Sequence, residues 1–189
     1  MITIGILGDI GSGKSFIAKN FGYPVFNADD EVAKLYEKDK KIFNKLKKIL
    51  PKYIHSYPIQ KKEVLNAILG HKKNLKKIVK VVHFEVRKKL KIFLKKNKKK
   101  KIIVLDIPLL LENNINKKKD ILIYIQARKK DILERLKKRK NYNKQLIKKF
   151  RKIQFSPHYK RKKSQFIIKN DFLKKSVMRD INKILKQIL

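Results

Sequence analysis

The sequence predicts a three-layer α/β fold, with helices on both faces of a five-stranded parallel sheet. Three observations point to it. The chain opens on an apolar run, Ile2–Leu7, followed by a glycine-rich stretch and an apolar-periodic segment carrying Phe16, Ile17 and Phe21. Four further short apolar runs recur downstream, separated by segments of helical periodicity. The first run is apolar throughout instead of alternating, which is the pattern of a parallel strand buried on both faces.

The elements follow in order. Ile2–Leu7 is the first strand. The glycine-rich loop and its helix come next, and Phe21-Gly22 supplies a C-cap. Tyr23-Pro24-Val25-Phe26 reads as a second strand, running into Asn27-Ala28-Asp29-Asp30, which can close the strand and cap a helix. Val32, Leu35, Tyr36, Ile42, Phe43, Leu46, Ile49 and Leu50 recur at helical spacing, predicting one helix over 31–50 that Pro51 stops. Residues 51–60 read as irregular, 61–69 as a helix ended by Gly70, and 72–96 as a long helix with Leu75, Ile78, Val79, Val82, Val86 and Leu90 on one face. Ile102–Asp106 is the third strand and Ile121–Ile125 the fourth. Helices are expected over 129–138 and 141–152, the second ending near Gln154-Phe155-Ser156-Pro157. Phe166-Ile167-Ile168 is the fifth strand, closed by Asn170-Asp171, and Phe172–Leu189 is a terminal helix. These elements predict a core from residues 1–30, 98–138 and 160–189. They also predict a helical insertion over 31–97 and a basic segment over 139–159.

Composition narrows the function classes. Hydrophobic residues make up 42% of 189, enough for a packed core despite 36% charged residues. The absence of cysteine removes disulfides, thiolate catalysis and cysteine-ligated zinc, and suits a reducing compartment. The first strand starts at Ile2, which leaves no room for a signal peptide, and no apolar run approaches the roughly 20 residues that span a bilayer. A protein without membrane partners, acting in the cytoplasm, is therefore expected. The formal net charge is +38, yet the lysines are spread along the whole chain and arginine is scarce. A surface built for phosphate recognition enriches arginine, so a nucleic-acid partner is not favoured over compositional bias. In either case the field attracts polyanions such as ATP.

Chemistry concentrates in Gly8-Asp9-Ile10-Gly11-Ser12-Gly13-Lys14-Ser15, with Phe16 following. Three of the six glycines fall here. Glycines let the backbone curl around a phosphate, and the start of the next helix supplies its positive end. The pattern assigns Lys14 to the β- and γ-phosphates and the Ser15 hydroxyl to Mg2+. Asp106, ending a strand of four apolar residues, fits the carboxylate that orients Mg2+ or its water. Such a loop alone serves kinases, GTPases, motors and nucleic-acid enzymes. The chain lacks the Asn-Lys-x-Asp guanine signature and is short for a motor, whereas a helical insertion and a late basic segment suit a small-molecule kinase. Two other readings stay open here: a nucleoside-monophosphate-type kinase, and a basic nucleic-acid-binding protein that has kept a phosphate loop.

Beyond the loop, Pro24-Val25-Phe26-Asn27-Ala28-Asp29, His83-Phe84-Glu85-Val86-Arg87 and Asp106-Ile107-Pro108-Leu109-Leu110-Leu111-Glu112 stand in order, with Gln154, Lys160 and Asn170 behind them. In this order and spacing the chain resembles the dephospho-CoA kinase family over nearly its whole length. The resemblance implies a phosphate-loop NTPase fold with an acceptor-binding insertion and a lid. It implies transfer of the ATP γ-phosphate, with Mg2+, to the ribose 3′-hydroxyl of dephospho-CoA. Asp29 would be the general base and Arg139, at the start of the lid, would reach the transferring group. His83 and Arg87, four residues apart on one helix face, would contact the acceptor, together with Asp106, Pro108 and Leu109. The chain departs from the family at Asn27, Phe16, Phe84 and Ser164-Gln165, where Asp, Thr, Pro and Ala-Asp are usual. His55, His71 and His158 have no metal-ligand spacing.

Overall fold

The computed structural model describes residues 1–139 and 142–189. The chain divides into two compact units, residues 1–27 with 97–189, and residues 28–96.

The first unit holds one five-stranded sheet. Its strands are β1 (Ile2–Gly8), β2 (Val25–Asn27), β3 (Ile102–Asp106), β4 (Ile121–Gln126) and β5 (Phe166–Lys169). They run all parallel in the order β2-β3-β1-β4-β5. Alternation along the strands sends Ile4, Ile6, Ile102, Val104, Ile123, Ile125 and Ile168 into one core with Ile17 and Ala18 of α1 (Lys14–Asn20) and Val177, Ile181 and Ile184 of α9 (Lys174–Ile188). Ile103, Leu105, Leu122 and Tyr124, on the alternate positions, are buried as well. Covering both faces is what lets β1 and β3 be apolar at nearly every position. Each large side chain so buried contributes about 1.5–3 kcal/mol. α6 (Lys129–Lys137), α7 (Lys144–Lys152) and α8 (Pro157–Lys163) complete this unit. The lysine and asparagine at 140 and 141, where the basic helix was expected to begin, lie outside the described residues.

The second unit is helical, with α2 (Ala28–Lys38), α3 (Lys40–Ile49), α4 (Lys61–Gly70) and α5 (Asn74–Lys96). The long α5 packs against the other three. The single helix expected over 31–50 is two, because Asp39 takes an extended backbone and its carboxylate accepts the amides of Lys41 (2.9 Å) and Ile42 (3.1 Å). That is an N-cap, which starts a new helix. Gln60 and Glu63 form a capping box at α4. Glu63 also accepts the amides of His55 and Ser56. Burial pushes the Glu63 carboxyl up, but these backbone amides outweigh it and hold the group below its usual range. No helix among the described residues is long and apolar enough to cross a membrane.

Candidate active site

The site is built at the carboxyl ends of the strands, where open parallel sheets place their ligands. β1 runs into the loop at Gly8, and the loop ends where α1 begins. Gly11 and Gly13 take φ of 87° and 91°, values that L side chains rarely adopt. Space forbids a side chain at both positions. A Cβ on Gly11 would stand 2.9 Å from Leu136 of α6, and one on Gly13 would collide with the Asn170 side-chain amide. Lys14 lies across the loop, its ammonium donating to the carbonyls of Gly8 (3.1 Å) and Asp9 (2.8 Å). Ser15 and Phe16 are exposed at the start of α1.

Asn170, just past β5, fixes this loop from the other side. Its Nδ2 donates to the Ser12 carbonyl at 2.7 Å, its Oδ1 accepts the Phe172 amide at 2.9 Å, and its own amide donates to Gln126 O at 2.7 Å. It is 4% exposed. Asn-Asp at a strand end reads as a turn, and nothing in that local pattern announces a bond to Ser12.

β2 and β3 pair so that Asn27 lies opposite Asp106. The Asn27 amide donates to Asp106 Oδ2 at 2.7 Å. An Asp at position 27 would set two carboxylates face to face, whereas Asn leaves Asp106 the single charge of this pair. Past Asp106 the chain turns through Pro108 and Leu109. Leu109 holds φ of 61°, a strained value for a branched side chain and a mark of a constrained site.

Pro108, Leu109, Glu112, Gln154 and Lys160 line a cavity of about 10 Å3 together with Gly8 and Lys14. Lys160, 3% exposed on α8, pairs with Glu112 at 3.2 Å, and Glu112 also accepts the Phe155 amide at 2.8 Å. This pair links the Asp106–Glu112 turn to the segment returning from α7. Helix α8 carries no apolar periodicity, because among the residues of this basic helix Lys160 alone is buried. Ser156 at its N-cap and Pro157 in its first turn are the signals that could have found it. Lys160→Met leaves a buried carboxylate unpaired and is expected to cost about 3–5 kcal/mol of stability. A urea titration checks this, and a loss below about 1 kcal/mol would place the pair among weak surface bridges.

Arg139 follows α6 and is exposed, its carbonyl accepting the Tyr142 amide at 3.0 Å. α6 and α7 flank a groove of about 580 Å3 lined by Leu133, Leu136, Tyr142 and Ile147, and no residue of α7 is buried.

Asp29, His83 and Arg87 belong to the second unit. Asp29 is exposed in the first turn of α2, beside Asp30 and Glu31, where the positive helix end favours carboxylates. His83 is half-buried on α5 and Arg87 is exposed one turn on. Burial, and then the Arg87 charge, hold the His83 imidazole below its ordinary range, so it is neutral at pH 7. A groove of about 740 Å3 in this unit is lined by Lys34, Lys38, Lys40, Lys41 and Lys89 with Glu31, Asp39, Leu35 and Tyr57, a net basic set.

A family model described as dephospho-CoA kinase matches residues 2–175. A dephospho-CoA kinase of Wolbachia pipientis wMel is 33% identical over 99% of this chain and 98% of its own length. One from the Wolbachia of Brugia malayi is 35% identical, with the same coverage. Among solved structures, the Thermus thermophilus protein TT1252 superposes with a TM-score of 0.79 at 23% identity, covering 100% of this chain and 97% of that one.

Proposed function

This chain belongs to the dephospho-CoA kinase family, and from that premise we propose how its own residues divide the reaction. The chain is an ATP-dependent kinase that acts on ATP and dephospho-CoA. It moves the γ-phosphoryl group to the acceptor ribose 3′-hydroxyl, giving CoA and ADP.

Phosphoryl transfer asks the protein mainly for positioning and charge. Loop residues Gly8–Phe16 cradle the phosphates, and Lys14 exchanges its two loop carbonyls for phosphate oxygens, following the charge as it moves to the leaving group. Asp29 accepts the proton of the attacking hydroxyl. Its exposed place at the start of α2 leaves it open to a substrate. Arg139 enters with residues 139–159 acting as a lid. His83, neutral and able both to donate and to accept, and the Arg87 cation hold the acceptor, together with Asp106, Pro108 and Leu109. We assign acceptor binding to residues 31–97, whose basic groove suits an anionic acceptor. Residues 1–30, 98–138 and 160–189 form the nucleotide core in this reading.

Mg2+ fits the residues present. Ser15 and Asp106 offer hard oxygen donors, and no cluster of three or more His, Cys, Asp or Glu among the described residues could hold a metal by itself. That suits an ion carried mostly by phosphates and water. Ser15 and, through water, Asp106 would hold it, and it would offset the charge on the β- and γ-phosphates. We place the reaction in the cytoplasm, which holds ATP and suits a chain free of disulfides.

The observation that carries this reading is Lys14 lying across a glycine loop in a sheet whose neighbouring strand ends at Asp106. An acceptor panel of dephospho-CoA, AMP, CMP and shikimate, read by ADP release with and without Mg2+, tests it. Turnover is expected with dephospho-CoA alone and only with Mg2+. Turnover confined to another acceptor would overturn the assignment.

A further inference from the structure

Glu112 is held unevenly for a buried carboxylate. Its Oε1 takes two donors, the Lys160 ammonium at 3.2 Å and the Phe155 amide at 2.8 Å. Its Oε2 is buried and takes none among the described residues. Both side chains of the pair are buried, at 3% exposure for Lys160 and 9% for Glu112. Stability alone does not account for this arrangement. Apolar side chains of similar volume often hold such a contact equally well, and a bare carboxylate oxygen adds a desolvation cost. What the ion pair adds is direction, because hydrogen bonds fix distance and angle whereas apolar packing does not.

That direction is imposed on a turn tied together as one piece. Backbone bonds run from Asn113 N to Leu109 O (3.0 Å), from Asn114 N to Leu111 O (3.0 Å) and from Ile115 N to Leu110 O (3.1 Å). Glu112 lies within these bonds, so fixing its carboxylate also fixes Leu109. Leu109 depends on such support, since a φ of 61° persists only where the surroundings over-determine it. Leu110 and Leu111 seat the turn in the core. Lys160 and Phe155 hold it from α8 and from the segment that joins α8 to α7. Glu112, Lys160 and Gln154 meet Lys14, Pro108 and Leu109 around a cavity of about 10 Å3. The pair therefore stands between the basic segment and Pro108 and Leu109, the turn residues assigned above to the acceptor.

We propose that Glu112 and Lys160 are a positioning pair, holding Pro108 and Leu109 in the geometry that binds the acceptor. The proposal rests on the kinase reading above. Neither side chain touches a substrate in it, and both act through the turn.

Steady-state kinetics and thermal melts of wild type, Lys160→Arg, Glu112→Gln and the double variant Glu112→Leu/Lys160→Met test it. The double variant removes both charges and strands neither, so it is expected to melt close to wild type. Its kcat/KM for dephospho-CoA is expected to fall about 10-fold, with kcat/KM for ATP at saturating acceptor changed less than about 2-fold. Arginine keeps the charge and offers a fork that serves both carboxylate oxygens, so Lys160→Arg retains the wild-type constants. Wild-type constants in the double variant would overturn the proposal and leave the pair as packing. Equal losses for both substrates would overturn it as well, by placing the effect on the phosphate loop. If the double variant does not fold, Glu112→Gln decides: a loss confined to dephospho-CoA supports the pair, and wild-type constants overturn it. Wild type without turnover on dephospho-CoA would instead sink the kinase reading on which the pair depends.

Discussion

Lys14→Ala is expected to reduce turnover at least about 1,000-fold while leaving a folded protein. The ammonium is the one side-chain cation of the loop sequence, and it already lies across the loop on the carbonyls of Gly8 and Asp9. In the proposed transfer its role is to offset transition-state charge that a backbone amide matches less well. Its packing contribution is small, because the core beneath is made by Ile4, Ile6, Ile17 and Ala18. Two part-buried bonds to carbonyls are lost, and water can satisfy acceptors at the surface. The kcat from the ADP-release assay and a thermal melt check the pair of claims. Turnover within a few-fold of wild type would remove Lys14 from the chemistry. A collapsed melt would show instead that the loop depends on it for folding.

Asp29→Asn carries the second large effect. General bases contribute about 100–10,000-fold, and the amide keeps size and hydrogen bonding while losing the ability to take a proton. The expected result is a kcat loss in that range with the KM for ATP changed little, because the proton comes from the acceptor. Asp29 is exposed in the first turn of α2, with Asp30 and Glu31 beside it to favour the helix end. Stability should therefore hold, and a thermal melt alongside the kinetics separates the two effects. Near-normal kcat would transfer the role of base elsewhere.

Much of the fold was legible because burial wrote itself into single stretches of chain. Ile102–Asp106 is a strand at its expected bounds, since its first four residues are apolar and buried on both faces. The α2–α3 break was not, because Leu35, Ile42 and Leu46 keep a helical rhythm across Asp39, and a cap changes the backbone without changing that rhythm. Helix α8 hid for the opposite reason, burying Lys160 and nothing apolar. Phe172, taken as the start of the last helix, lies before it in the left-handed region, and Leu173 is the N-cap. The loop residues and Asp106 could be named from order and spacing. Their supports could not, since Glu112 with Phe155 and Ser12 with Asn170 are 43 and 158 positions apart. A bond between residues so distant leaves no periodic trace in either neighbourhood.

The Asn170–Ser12 bond also sets an order of events during synthesis. The loop is synthesised before every helix of the described fold, and the side chain that holds it follows the last strand, β5. A nascent chain that stops short of residue 170 can pair β1 with β3 and β4, yet its glycine turn lacks the amide that pins Ser12. Nucleotide binding at the pinned loop is therefore expected to reward only chains that have reached residue 170. A nucleotide that binds the pinned loop is expected to stabilise molecules in which Ser12 and Asn170 have met.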